Sequence, residues 1–179
     1  RFGRSARAGL EQPRREVAAA LGAEPTQVVF TSGGTEADNL AVIGAALAAR
    51  HAGRAMLVAV SASEHKAILG AAHHVCHLGG EEILIPVHPD GQLDLDALEA
   101  ALARRPAVVS VMWVNNETGV RQPVEEIAAR CSSAGVFLHS DAVQALGKIP
   151  LTLADLRCTL LTISGHKIGA PKGIGALIV

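Results

Sequence analysis

Seven short runs in this 179-residue chain are almost continuously apolar, and several are rich in β-branched residues. They lie at 28–31, 55–60, 83–85, 108–114, 136–139, 160–163 and 174–179. A strand with one wet face alternates apolar and polar residues, whereas a run apolar throughout is covered on both faces. Segments at 4–21, 36–50, 65–78, 94–103 and 123–134 read as the covering helices. Their ends carry stop and start signals: Gly22 after the first, Asp94 as an N-cap, Pro123 at an opening turn. Pro13 predicts a kink or break within 4–21. The pattern predicts an α/β fold in three layers, a doubly wound, mostly parallel seven-stranded sheet between helices. Ligands of such sheets sit beyond the carboxyl ends of the strands. The segments after the strands carry Thr35, His65, Asn116, Asp141, Gln144, Ser164, His166 and Lys167.

The chain is read as one domain, 1–179, a size that supports a substantial core. Sixteen basic and 17 acidic residues leave a net charge of −1, giving no electrostatic reason to expect nucleic acid or an anionic membrane as partner. With 2% aromatics and no Tyr, stacking platforms for single strands are few. No run of about 20 apolar residues free of charges or helix breakers is found, and no secretory pattern is visible. Three cysteines, Cys76, Cys131 and Cys158, form no disulfide framework, which leads us to expect a reducing, cytoplasmic setting. The chain opens on Arg1 and ends on the strand-like run Gly175-Ala176-Leu177-Ile178-Val179, and we expect a fragment of a longer protein.

Six segments combine residue types that suit chemistry, and each has a plainer explanation. Ser32-Gly33-Gly34-Thr35 lies between a strand and a helix, where free amides and the helix dipole attract anions; an ordinary strand-to-helix turn uses the same residues. It is not a P-loop, because no Lys follows the glycines. Ser164-Gly165-His166-Lys167 follows a buried strand, and a Lys in a low-dielectric site loses its proton readily and forms Schiff bases; the alternative is a surface-loop lysine. Asp141 stands just past another buried strand and calls for a cationic partner such as a pyridinium, or else caps a helix. Gln144, about one helical turn on, could face the same side. Asn115-Asn116 and His65 each sit at a strand end, as a polar turn and a structural histidine, or as ligand contacts. His73 and His77 are four apart on a helix beside His74 and Cys76, but no third ligand has a recognisable spacing, and no metal centre is expected.

Taken together, these segments resemble the cysteine desulfurase branch of the class V aminotransferases, among the fold-type I pyridoxal-phosphate (PLP) enzymes. The resemblance covers nearly the whole chain. It runs through Phe30-Thr31-Ser32-Gly33-Gly34-Thr35-Glu36-Ala37-Asp38-Asn39-Leu40, Glu64-His65 and Asn115-Asn116-Glu117-Thr118-Gly119. Asp141-Ala142-Val143-Gln144, Ser164-Gly165-His166-Lys167 and Pro171-Lys172-Gly173-Ile174-Gly175 continue it. It implies PLP as cofactor, with Lys167 as the Schiff-base lysine and acid/base. Asp141 would hold the pyridine nitrogen protonated, Gln144 would bond the phenolic oxygen, and His65 would stack on the ring and assist proton transfer. Asn116 would lie near the phenolic oxygen and the substrate carboxylate. Gly34, Thr35, Ser164 and His166 would hold the phosphate.

The implied reaction takes sulfur from L-cysteine, leaving alanine and a persulfide, with a sulfur-acceptor protein and iron–sulfur cluster assembly downstream. The implied assembly is a homodimer. The family's catalytic cysteine and substrate-binding arginine belong to a later, smaller domain, and none of Cys76, Cys131 and Cys158 matches that cysteine. The isolated piece is therefore expected to be inactive. A selenocysteine lyase or another class V enzyme would share the cofactor site, and a non-catalytic PLP-binding module or a plain nucleotide-binding domain are readings from other classes.

Overall fold

A computed structural model describes residues 2–150 and 159–179, with side chains from residue 8 onward. Cys158 lies outside the described residues. Along the chain run α1 (Phe2–Leu21), β1 (Val28–Thr31), α2 (Gly34–His51), β2 (Leu57–Ser61), α3 (Lys66–His77) and β3 (Glu81–Ile85). There follow α4 (Leu95–Ala103), β4 (Val108–Ser110), α5 (Val124–Ala134), β5 (Phe137–Asp141), β6 (Leu160–Ser164) and β7 (Gly175–Ile178). The seven strands form one sheet in the order β1-β7-β6-β5-β4-β2-β3. β7 alone runs against its neighbours, antiparallel to β1 and β6.

The central apolar runs have the predicted consequence, whereas the edge strands β1 and β3 leave Val29 and Leu84 exposed. All five residues of β2 are buried. Val58 and Val60 pack with Val42, Ala46, Ile68 and Val75 of α2 and α3. Ala59 faces the opposite layer, with Leu98 of α4, Ile127 of α5, and Ala18 and Leu21 of α1. Each fully buried aliphatic side chain contributes roughly 1.5–3 kcal/mol, and here that burial is split between the two faces of one sheet.

Three expectations are corrected. Pro13 does not break the assigned helix, which is continuous through it. The proline is exposed, so the helix carbonyl left without its N–H can be met by water. The Arg14 guanidinium next to it donates to the Val28 carbonyl and lies 5.0 Å over the Phe30 ring, fastening α1 to β1. The fourth strand ends at Ser110 rather than 114. Beyond it the chain still leans on β5, Val111 N donating to His139 O and Trp113 N to Asp141 O. Residues 143–149 form a series of turns rather than a helix, and Gln144 lies among them.

Two topological features create the site. After β2 the chain runs outward through α3 to β3, and it returns to place β4 on the other side of β2. The segments leaving β2 and β4 therefore diverge to opposite faces, opening a crevice at the switch point. At the other flank, residues 165–174 reverse the chain from β6 into β7 without a crossover helix. That short reversal keeps the Lys167 segment at the carboxyl end of β6.

Gly175 joins the two phosphate-suited turns. It pairs with Thr31 on one side and Ser164 on the other. A Cβ at Gly175 would fall 2.7 Å from the Gly33 carbonyl carbon and 2.9 Å from Ile163 O, both backbone atoms. Gly175→Ala should therefore push the Ser32–Gly34 turn away and destabilise the domain by about 1–3 kcal/mol, the usual range for overpacking. Urea unfolding measures this, and an unchanged midpoint would contradict it.

Candidate active site

The first wall is the start of α2. Ser32 and Gly33 leave β1, and Ala37 N closes the first turn on Gly33 O at 3.2 Å. The opening amides of an 18-residue helix have no partner within it, so their donors and the positive dipole end remain for an anion. Glu36 Oε2 accepts from Ser32 N at 2.6 Å, and the Ser32 hydrogen bonds hold this carboxyl below its ordinary range. The glycine pair divides its work. A Cβ at Gly34 would sit 3.0 Å from Val143 Cγ2, so this glycine lets the helix start pack on the β5 turn. A Cβ at Gly33 would meet no protein atom within 4 Å, so a side chain there would only fill open space.

The second wall is the β6–β7 reversal. Ser164 is the last residue of β6 rather than a loop residue, and its backbone is buried in the sheet. Gly165–Lys167 forms one 3-10 turn. Its glycine is required, because a Cβ at Gly165 would lie 2.8 Å from Ile174 Cγ2 and 3.0 Å from Ala170 Cβ. Ser164 Oγ and His166 Nδ1 are 2.8 Å apart, tying these two side chains together. Lys167 borders the cavity, yet the residue is exposed. The low-dielectric enclosure expected around it is not provided by the described protein.

The floor is the end of β5. Asp141 is the last strand residue, 6% exposed. One carboxylate oxygen, Oδ1, accepts from Val143 N at 2.8 Å. Burial pushes the Asp141 pKa up, while the Val143 hydrogen bond and the nearby His65 pull it down. Gln144, one turn on, receives Lys148 Nζ on Oε1 at 2.5 Å. An ammonium only donates, so the Gln144 carbonyl is committed outward and its NH2 is the group left to offer a ligand.

The remaining wall spans the switch-point crevice. His65 is the N-cap of α3, and its Nδ1 accepts from Ala67 N at 3.2 Å. The neutral ring therefore carries its proton on Nε2, and Nε2 alone is available for proton transfer. Asn116 borders the cavity, whereas Asn115 is structural: its Oδ1 accepts from Glu117 N and Thr118 N, each at 2.9 Å.

All nine residues singled out in the sequence, Gly34, Thr35, His65, Asn116, Asp141, Gln144, Ser164, His166 and Lys167, border one cavity of about 470 Å³. Cys76 and Cys131 do not border it. Cys131 is 1% exposed, and burial pushes its thiol up to about 12, so it is an inert core residue. His73, His74 and His77 occupy the exposed side of α3, and none borders the cavity.

Sequence reading missed a polar layer beneath the floor. His139 is fully buried in β5, with Ser110 Oγ 2.8 Å from Nδ1 and Thr162 Oγ1 2.9 Å from Nε2. Asp38 of α2, 2% exposed, brings Oδ1 to 3.7 Å from His139 Nε2 and also borders the cavity. This contact joins two neutral groups. Desolvation lowers His139 to about 3 and raises Asp38 to about 8, the latter with help from Asp141. Asp38 had stood in a quoted motif, but its burial is set by how α2 packs on the sheet, which no local pattern reveals.

The sign of the resulting pH effect is definite. A carboxyl whose folded pKa is raised keeps a proton that the unfolded chain releases, so stability falls as pH rises. For Asp38 the window runs from its ordinary 3.8 to about 8. Asp38→Asn carries no such proton, so its stability relative to the native chain should climb across that window and level off above it. The limiting slope is about 1.4 kcal/mol per pH unit. Urea unfolding at pH 5 and pH 8 checks this, and a pH-independent difference would contradict it.

Comparison with known proteins agrees with this geometry. The class-V aminotransferase family model matches residues 1–179. A human protein named cysteine desulfurase is 42% identical over 178 residues, covering 99% of this chain and 38% of that protein. The crystal structure of DndA from Streptomyces lividans superimposes with a TM-score of 0.88 at 40% identity, over 99% of this chain and 49% of that one. SspA, solved in complex with cysteine, gives a TM-score of 0.88 at 33% identity, over 99% of this chain and 50% of that one. The chain thus spans well under half the length of its curated human relative and about half of the solved ones. It belongs to the class-V aminotransferase family of PLP-dependent enzymes.

Proposed function

We propose that this chain is the cofactor-binding portion of a cysteine desulfurase, acting on L-cysteine to give alanine and a transferable persulfide sulfur. The observation that carries the proposal is the convergence, on one cavity, of an anion-binding helix start, a lysine amine and a buried carboxylate. The relatives' names and the cysteine complex of SspA support the substrate.

The residues present fit PLP at each of its three functional ends. Gly34 and Thr35 at the α2 start, with Ser164 and His166, suit the phosphate. Asp141 Oδ1 is bonded to Val143 N, and the buried carboxylate suits a cationic ring nitrogen that would keep it ionised. Lys167 would hold the aldehyde covalently. When bound, PLP supplies an electron-withdrawing ring that acidifies the Cα–H of an attached amino acid. The chain's own residues then have separable tasks. Lys167 Nζ takes and returns the substrate α-proton. His65 would cover the ring and could move a proton only at Nε2, since Nδ1 caps α3. Gln144, its carbonyl held by Lys148, would donate from Nε2 to the phenolic oxygen. Asn116 contributes its amide across the crevice.

Sulfur transfer needs a reactive thiol, and neither Cys76 nor Cys131 borders the cavity. We place the persulfide-forming cysteine elsewhere in the full protein, together with a homodimer partner and a sulfur-acceptor protein serving iron–sulfur assembly or other sulfur transfer. A selenocysteine lyase would share the cofactor site and is separated by comparing sulfide with selenide release.

The test is chemical trapping. The protein is incubated with PLP, reduced with borohydride and mapped by mass spectrometry. The pyridoxyl mass should fall on the peptide carrying Lys167 and vanish in Lys167→Ala. Labelling of Lys172 or Lys148 in its place would overturn the assignment.

A further inference from the structure

We propose that Glu64 is a positioning residue which, with Asn115, forms a reciprocal latch across the switch-point crevice and thereby sets the spacing between His65 and Asn116. The inference rests on reading those two residues as opposite walls of the cofactor cavity.

The geometry is unusually symmetrical. The segment leaving β2 sends a side chain to the backbone leaving β4: Glu64 Oε1 accepts from Met112 N at 2.5 Å. The segment leaving β4 returns the contact: Asn115 Nδ2 donates to Ser63 O at 2.8 Å. The same Nδ2 lies 3.2 Å from Met112 Sδ. Each latch residue immediately precedes a cavity residue, Glu64 before His65 and Asn115 before Asn116. The remaining polar atoms of Asn115 are also committed, through Oδ1 to Glu117 N and Thr118 N. Asn115 therefore has no capacity left for a ligand and is a fixed post.

The latch stands where the fold most needs it. β2 and β4 are paired only over Val58–Val108, Ala59–Val109 and Val60–Ser110. Beyond Ser110 the chain turns toward β5, while beyond Ser61 it turns into α3. Ladder hydrogen bonds no longer hold the two segments together there, so side chains must set the width of the crevice.

A glutamate is a costly choice for such a contact. Glu64 is 6% exposed and its Oε2 has no hydrogen-bond partner among the described residues. Burial raises its pKa well above the ordinary value, the Met112 amide opposes this, and Asp141 of β5 and Asp38 of α2 raise it further. Burial thus favours the uncharged form of the latch carboxyl, which limits negative charge beside Asp141. A neutral glutamate should be replaceable by Gln, which keeps the carbonyl acceptor for Met112 N, but not by Ala.

The test uses Glu64→Ala, Glu64→Gln and Asn115→Asp, the last keeping the Oδ1 acceptor while removing the donor to Ser63 O. Amide exchange at Met112 and the His65 imidazole NMR signal are read without ligand, and PLP affinity is read by fluorescence. Glu64→Ala should speed Met112 exchange at least tenfold, broaden or split the His65 signal and weaken PLP about tenfold. Glu64→Gln should restore all three, and its stability relative to the native chain should rise as pH climbs above the ordinary glutamate range. Asn115→Asp, which leaves the core volume unchanged, should broaden the His65 signal even if Glu64→Ala fails to fold. Native Met112 exchange and a single sharp His65 signal in Glu64→Ala would overturn the latch. So would failure of Glu64→Gln to restore them. If the native protein takes up no PLP, the reading of the cavity fails, while exchange and the imidazole signal still decide the latch.

Discussion

A carboxyl group at the end of a central strand dominates the energetics of this molecule. Asp141 is nearly excluded from water, receives one backbone hydrogen bond and makes no ion pair among the described residues. Taking a carboxylate out of water costs several kcal/mol unless a charge of opposite sign joins it. The protein has placed that group at the open end of a sheet, bordering a cavity that also holds Lys167 and the positive end of α2. A ligand that is cationic at one end, anionic at the other and reactive toward an amine between them satisfies all three at once.

The surroundings keep the count of charges low. Burial raises the pKa of Asp38 to about 8 and that of Glu64 well above its ordinary value, and the nearby Asp141 adds to both. His139 is neutral for the same reason. Burial thus disfavours charge on all four groups, and Asp141, also pulled down by the Val143 hydrogen bond and by His65, is the one that a ring cation would hold ionised. The buried row Ser110–His139–Thr162 meets its hydrogen-bonding needs across three adjacent strands, so the layer can be polar without carrying charge.

Much of this was legible in the chain, for identifiable reasons. The run 160–163 is almost continuously apolar, as burial on both faces of a sheet requires, and Asp94 does cap α4 through bonds from Asp96 N and Ala97 N. Lys167, Asp141 and His65 were visible because each stands at a strand end, where any doubly wound fold collects its chemistry. The antiparallel course of β7 and the close approach of Gly175 to Gly33 were not legible, because they depend on which strand lies beside which. Nor were the roles of Glu64, Asn115 and Lys148. Glu64 and Asn115 bond to residues 48 and 52 positions away, and Lys148 acts through the orientation of another side chain.

The central claim is that Asp141 exists to hold a positive charge on the ring of PLP. The direct measurement is the nitrogen NMR shift of PLP labelled with 15N in the ring and bound to the protein. The native protein should hold that nitrogen protonated near neutral pH, and Asp141→Ala should release the proton. A protonated ring in both proteins, or in neither, would contradict the account.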